Sequence, residues 1–504
     1  MEDKKQQKIS LQIKENVAQM EDAFKDCADI KKKPMKLGIN QDVEAYLIYI
    51  EVTVDTGTSV LGETLKFLNA KNRTELLESL KNNALAISDA TFFATIEEAI
   101  DGMLAGETIL FVDGFDRALK IPDGGYPSIG IFEAESEKVV RGSNEGLCES
   151  VKQNAALIRK RVRSPKVKAR QLKIGVRSNT LVYVMYIEDL AKPELVEEVE
   201  RRLTSFEIDG VLDSGILEQL SEEKWYSPFP QFQTTERVDR AAMAMLEGRI
   251  VVLSDNSPVG LVLPTDYNSF IKTCDDYYSR WEIASFGRLI RYVSSFFALV
   301  LPGFYLAITN HHTQILPTSL LLSFAEAREG VPFPAVFEVL LMELSFELLR
   351  EAGVRLPGAM GNTIGIVGGL IIGQAAVEAN LVSPIVVIVI SFTALCSFAV
   401  PNEEFATAFR LLKFMLIGLG AWLGYFGIMV GLLGILIHLS HLSSFGNPYL
   451  SPYVGAELND YQDEKDVLWR LPLRFLKKRP AYAREEEKTK LVIETEDKPY
   501  VRKK

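Results

Sequence analysis

Residues 288–310 read RLIRYVSSFFALVLPGFYLAITN, and this stretch divides the chain into two unlike halves. About 20 consecutive apolar residues cross a hydrocarbon core roughly 30 Å thick, and backbone groups at that depth have to be satisfied within the segment. The stretch therefore predicts a membrane-spanning helix. Three more candidates follow: TIGIVGGLIIGQAAVEAN at 363–380, SPIVVIVISFTALCSFAV at 383–400 and LLKFMLIGLGAWLGYFGIMVGLLGILIHL at 411–439. Upstream of residue 280 the sequence is rich in charge. The expectation is a mixed α/β domain in two subdomains followed by a polytopic α-helical membrane domain.

Orientation follows from basic residues, which concentrate on the cytoplasmic side of a span. Arg280, Arg288 and Arg291 flank the first span on its N-terminal side, and Arg470, Arg474, Lys477, Lys478 and Arg479 follow the last. Both the N-terminal domain and the C-terminal tail are thus expected in the cytoplasm, with an even number of crossings. Four crossings satisfy that parity if 315–350 is re-entrant or interfacial; six satisfy it if 315–326 and 331–350 each cross. Arg410 and Lys413, just before the last span, weigh against four. The N-terminus lacks the apolar core of about 7–15 residues that marks a cleaved signal peptide, so the first domain is expected to stay on the side of synthesis.

The 504 residues include 56 Lys and Arg against 67 Asp and Glu, a net charge of -11 that argues against a general nucleic-acid binder. Cys27, Cys148, Cys274 and Cys396 show no CxxC spacing, so neither a disulfide framework nor a thiolate zinc site is expected, and a reducing compartment fits. No GxxxxGK[ST] loop, GxGxxG after a strand, HExxH or GxSxG occurs. Neither an enzyme nor a cofactor is implied.

In the soluble half, residues 1–35 place Ile9, Ile13, Val17, Met20 and Phe24 at helical spacing among charges, predicting a solvated helical arm that ends before Pro34. The β-prone runs AYLIYIEVTV (45–54) and TILFVDGFDRALKI (108–121), with the helical pattern TELLESLKNNALAI (74–87) between them, define a first subdomain at 36–150. The basic stretch 151–172, with Arg159, Lys160, Arg161, Arg163, Lys166, Lys168 and Arg170, predicts a helical connector with a solvated face. VYVMYIED, PELVEEVERRLTSF and RIVVLSDNSPVGLVLP then supply a strand, a helix and a hairpin for a second subdomain at 173–285. Asp-Gly pairs at 113–114, 123–124 and 209–210 mark turns, because both residue types tolerate positive φ.

The membrane half, 286–442, ahead of a polar tail at 443–504, carries two unusual patterns. Gly361, Gly365, Gly369 and Gly373 recur every fourth residue and leave one helix face nearly bare, which lets two backbones pack closely or form a gate. Gly420, Gly424, Gly427 and Gly431 repeat the theme in the last span. The segment VPFPAVFEVLLMELSFELLREAG (331–353) is as apolar as a buried helix, yet it carries Glu338, Glu343, Glu347, Arg350 and Glu351. Glu343, Glu347 and Glu351 share one helical stripe, with Glu338 on another face. Carboxylates at membrane depth seldom face lipid. The stripe fits either a carboxylate ring around a cation pathway in an oligomer, or a structural cluster in which Glu347 and Glu351 pair with Arg350 and Arg355. His311, His312, His438 and His441 all lie near segment ends, where interfacial polar residues are commoner than metal ligands.

The run PFPAVFEVLLMELSFELLREAGVRLPGAMGNTIGIVGGLIIGQAAVEANLVSP (332–384) closely resembles the A subunit of the GerA-type spore germinant receptors of endospore-forming Firmicutes. VDGFDRALKI, RGSNEGLCESVKQNAALIRKRV, SPFPQFQTTERVDRAAMAMLEGRIVVLSDNSP and DDYYSR extend the resemblance over about 40–490, in the expected order. Ser143 and Val238 stand where the family often has proline. The resemblance implies a subunit of a complex in the spore inner membrane, working with a transporter-like B subunit and a C-subunit lipoprotein. It implies a homo-oligomer forming a nutrient-gated monovalent-cation channel that starts germination. Glu343 and Glu347, with Glu338 and Glu351, are then the pore or vestibule candidates, and Gly361, Gly365, Gly369 and Gly373 the packing or gate candidates. A non-conducting signal-transducing scaffold is the first alternative and a secondary transporter the second.

Overall fold

The computed structural model describes residues 7–37, 43–53, 91–121, 137–354, 371–455 and 462–493, with isolated positions 74, 78, 126, 134, 369 and 459. The chain forms two compact units: Met1–Glu223 with Phe232–Thr265 and Arg474–Lys504, and Lys224–Gln231 with Asp266–Leu473.

The first unit is one folding pattern used twice. Helix α1 (Ile13–Ala23) precedes strands β1 (Ile30–Leu37), β2 (Val43–Ile50) and β3 (Thr91–Phe93), helix α2 (Ile96–Leu104), and strands β4 (Thr108–Val112) and β5 (Ala118–Ile121). Helix α3 (Val151–Arg161) opens the second copy: β6 (Val167–Ile174), β7 (Thr180–Ile187), α4 (Pro193–Leu203), α5 (Ser214–Ser221), β8 (Gln233–Thr235), α6 (Val238–Leu246), β9 (Ile250–Ser254) and β10 (Gly260–Leu263). Both sheets are antiparallel, and their strand orders correspond: β1-β2-β4-β5-β3 and β6-β7-β9-β10-β8. The registers correspond as well. Ile30 pairs with Ile50 as Val167 does with Ile187, Ala45 with Val112 as Val182 with Ser254, and Thr108 with Ile121 as Ile250 with Leu263.

The local chemistry that sets each copy is also repeated. Asn16 accepts from the Ser10 backbone N–H at 2.9 Å and donates to the Ser10 carbonyl at 2.7 Å. Asn154 does the same to Cys148, at 2.8 and 2.6 Å. Asp113 Oδ1 accepts from the first amide of α1, Ile13, and Asp255 Oδ1 from the first amide of α3, Val151. Each carboxylate thereby satisfies one orphan N–H of a helix start and opposes the positive end of its dipole. The core follows suit: Tyr46, Ile48, Ile50, Met103 and Phe111 in the first copy, Tyr183, Met185, Ile187, Met245 and Leu253 in the second. Gly106 and Gly248, at φ 98° and 87°, end the equivalent helices α2 and α6 with a left-handed residue.

Two expectations for this unit change. The 1–35 segment is not a solvated arm: Ile13, Met20 and Phe24 are buried in the first core, and the helix gives way to β1, which contains Pro34. Proline is tolerated there because β1 is the end strand of its sheet. The basic 151–172 stretch is not a solvated connector either. It forms α3 and much of β6, and Arg159 is wholly buried, holding Asp29 by a fork from Nε to Oδ2 and from Nη2 to Oδ1 at 2.9 Å. A charge run reads as solvated only until one of its members finds a buried carboxylate. The 249–264 hairpin, the strand at 182–189 and the helix at 193–206 form as expected. Most of the 74–87 pattern and the 123–124 turn lie outside the described residues. The tail returns to this unit, with Arg484 N–H donating to the Leu190 carbonyl at 2.9 Å and Arg479 Nε to the Leu246 carbonyl at 3.0 Å.

The second unit is helical: α7 (Asp275–Tyr278), α8 (Trp281–His311), α9 (Thr318–Ala327), α10 (Ala335–Val354), α11 (Pro384–Phe398) and α12 (Glu403–His441). Among the described residues, α8 and α12 are long and apolar enough to cross a membrane. α12 is not one rod, because Gly424 breaks it at φ 62° and ψ -142°. A Cβ on Gly431 would collide with Leu416, and one on Gly427 with the Leu419 carbonyl. In a straight helix Leu416 and Gly431 would stand more than about 20 Å apart. The last predicted span is therefore a helical hairpin with arms 403–423 and 425–441, about 30 and 25 Å long. The four glycines expected to permit close packing do so by different means. Gly424 makes the turn, Gly427 and Gly431 seat the second arm on the first, and Gly420 meets α8, where its Cβ would lie 2.5 Å from the Gly303 carbonyl.

Candidate functional site: charged groups inside the helical unit

α10 runs antiparallel to α8 and to the first hairpin arm, and parallel to α11. At its N-terminal end Ala335 and Val339 share a core with Tyr305, Leu306, Val382 and Val386. At its other end Glu347 reaches Arg410 and Arg350 reaches Ser397. The helical stretch 371–378 lies along α10: Gly369 stands against Phe346 and Leu349, and Ala376 joins the Ala335–Val339 cluster. Gly373 faces Val387 of α11, with 3.4 Å between its notional Cβ and the valine methyl. Gly361 and Gly365 lie outside the described residues, as does Arg355.

Glu343 is buried, and Lys413 Nζ, on the first arm of the hairpin, donates to its Oε2 at 2.5 Å. Lys413 also lies 3.7 Å from Glu347 Oε1, and Arg410 donates to Glu347 Oε2 at 3.3 Å. Two carboxylates one helical turn apart on α10 thus meet two cations three residues apart on the hairpin, and the formal charges balance. Glu351, next on the stripe, is exposed. Glu338 belongs to a separate place, accepting from the Ser383 amide at 2.8 Å and pairing with Arg328 at 3.2 Å. Arg350, offered as a partner for Glu347, instead donates to Ser397 and lies over the Phe398 ring at 4.8 Å. In the sequence Arg410 and Lys413 bear on topology alone, and the structure makes them the partners of the stripe. Their i, i+3 spacing, complementary to the i, i+4 carboxylates, was the available signal.

A second cluster sits where α8 begins. Arg288 is fully buried, with Nε 3.1 Å from Asp276 and Nη1 2.8 Å from Asp466. Arg291 also binds Asp276, and Lys272 lies 3.4 Å from Asp466. Burial would raise the Asp466 pKa, but Lys272 and Arg288 outweigh it and hold the carboxyl at about 2. Of the two arginines expected as interfacial markers, Arg288 thus clamps the segment after the hairpin onto the base of α8, and Arg291 holds Asp276 just before that helix.

The chemistry offered is electrostatic: charge held in pairs inside an apolar bundle, where a lone ion is costly. A family profile described as "Bacillus/Clostridium GerA spore germination protein" matches residues 18–482. The chain is 40% identical over 462 residues to spore germination protein A1 of Bacillus subtilis (strain 168), covering 92% of this chain and 94% of that one. It is 37% identical over 482 residues to the uncharacterized membrane protein YfkQ of the same organism, covering 95% and 93%. The crystal structure of the N-terminal domain of the A subunit of the Bacillus megaterium spore germinant receptor GerK3 aligns at 28% identity and a TM-score of 0.41, covering 52% of this chain and 98% of that one.

Proposed function

This chain belongs to the GerA spore germination protein family, and from that premise we propose that it is the membrane subunit of a spore germinant receptor that oligomerises into a nutrient-gated monovalent-cation channel. The second unit then crosses the spore inner membrane six times, through α8, α10, the helix ending at residue 378, α11 and the two hairpin arms. α9 lies at the far end. The α/β unit and tail face the cytoplasm, and a transporter-like B subunit and a lipoprotein C subunit complete the complex.

The observation that carries this reading is the charge-balanced set Glu343, Glu347, Arg410 and Lys413 inside the helical unit. In the arrangement described, the cations neutralise the stripe. A shift of α10 against the hairpin would free two carboxylates to line a cation pathway or its vestibule. Such a switch needs two packings of similar energy and a partner that favours one of them. The glycine face at Gly369 and Gly373 supplies a contact able to slide. The stripe being paired within one chain favours, as second reading, a scaffold that transduces without conducting.

The deciding experiment is monovalent-cation leak from non-sporulating cells expressing the chain with its partner subunits, at matched membrane levels. A leak in the wild type that Glu343→Gln with Glu347→Gln or Gly369→Leu alters in size or selectivity supports conduction. No leak with germinant present favours the scaffold.

A further inference from the structure

Residues 224–231, KWYSPFPQ, come from the charge-rich half of the sequence, yet they belong to the helical unit. Phe229 is buried with its ring 6.0 Å from Phe405, 5.9 Å from Phe409 and 6.3 Å from Tyr449. Lys224 Nζ donates to the His441 carbonyl, which ends the second hairpin arm, and Ser227 Oγ lies 2.9 Å from His438 Nε2. The segment is thus stitched to the last turn of that arm. Between these attachments Trp225 and Tyr226 stand out, 82% and 60% exposed, edge to face at 6.0 Å.

Phe426, Met429, Val430, Leu433, Leu436 and Ile437 form an exposed apolar stripe along the same arm, which stops at Ser440 and His441. At the end of the same arm, where the stripe turns polar, the Tyr226 ring lies 6.2 Å from the His438 ring. Tryptophan and tyrosine favour this boundary because each joins an apolar ring to a polar N–H or O–H. We propose that Trp225 and Tyr226 form a membrane-interface anchor, seated among phospholipid headgroups at the cytoplasmic end of the hairpin. The chain leaves the α/β unit at Glu223 and returns to it at Phe232, so the anchor lies in sequence between two segments of that unit.

This inference rests on the reading that the hairpin crosses a bilayer, and the test separates the two. The full chain is reconstituted in phosphatidylcholine and phosphatidylglycerol vesicles as two single-tryptophan variants, retaining Trp225 or Trp422, with the other tryptophans replaced by phenylalanine. Trp422 stands exposed beside the hairpin turn. Lipid brominated near the headgroup end of its chains should remove roughly half of the Trp225 emission, and lipid brominated near the chain ends should remove less. Quenching of Trp422 without quenching of Trp225 overturns the anchor alone, whether aqueous iodide reaches Trp225 or another protein copy shields it. Quenching of neither overturns the membrane reading as well. Should the multiple substitutions fail to accumulate, the difference in bromolipid quenching between wild type and Trp225→Phe supplies the same measurement.

Discussion

Lys413 Nζ lies 2.5 Å from Glu343 Oε2 with both side chains buried, so the first arm of the hairpin and α10 are joined by an ion pair inside an apolar bundle. Removing one partner leaves the other charged and unmatched, at a cost of about 3–5 kcal/mol. Lys413→Met is therefore expected to lower the melting temperature of the detergent-solubilised chain sharply. Lys413→Met with Glu343→Met should recover most of the loss. Equal melting of the single and double variants would show that the pair is not coupled.

The same logic applies to the buried fork between Arg159 and Asp29 in the α/β unit. Arg159→Leu is expected to cost about 3–5 kcal/mol, and Asp29→Leu a similar amount. Paired with Asp29→Leu, Arg159→Leu should cost much less than the sum, as a double-mutant cycle in urea would reveal.

Asn16 and Asn154 each bind both backbone groups of the residue six positions before them. Replacing either by alanine strands an amide and a carbonyl, part-buried at Ser10 and buried at Cys148, worth about 1–3 kcal/mol. Because the two copies share one geometry, the two substitutions should cost similar amounts in urea unfolding; a large difference would show that the likeness is only in outline.

The hairpin depends on Gly424, whose φ of 62° disfavours a side chain and whose Cβ would lie 2.8 Å from His312 and 2.9 Å from His311. Gly424→Val is expected to cost more than about 2 kcal/mol. Gly434→Ala has open space beside it and serves as the neutral comparison. Thermal melting in detergent separates them, and equal melting would contradict the tight turn.

Against the upward push of burial, Lys272 and Arg288 hold Asp466 at about 2, below its ordinary value of 3.8. Its contribution to stability is therefore complete above the unfolded value and is lost as pH falls from about 4 toward 2. Asp466→Asn should flatten the fall in melting temperature over that window, and an unchanged slope would remove Asp466 as its source.

Periodicity and composition by themselves determined the division into a charge-rich α/β half and an apolar helical half, a strand within the 45–54 run, which ends at Ile50, the strand at 182–189, the hairpin at 249–264 and the carboxylate stripe of α10. These are local properties, written in the spacing of apolar residues along a single element. The GerA likeness was legible for the same reason, in contiguous motifs. Tertiary structure decided the rest. It turned the 411–439 run into two arms, because a break at Gly424 leaves the hydropathy of the run unchanged. It buried Arg159 and assigned Lys413 to Glu343, because an ion pair joins residues distant in the chain whose meeting depends on how helices pack. It also exposed the duplication in the α/β unit, where register and hydrogen bonds persist although few side chains are identical. Packing constrains shape and polarity at each position far more than it constrains residue identity.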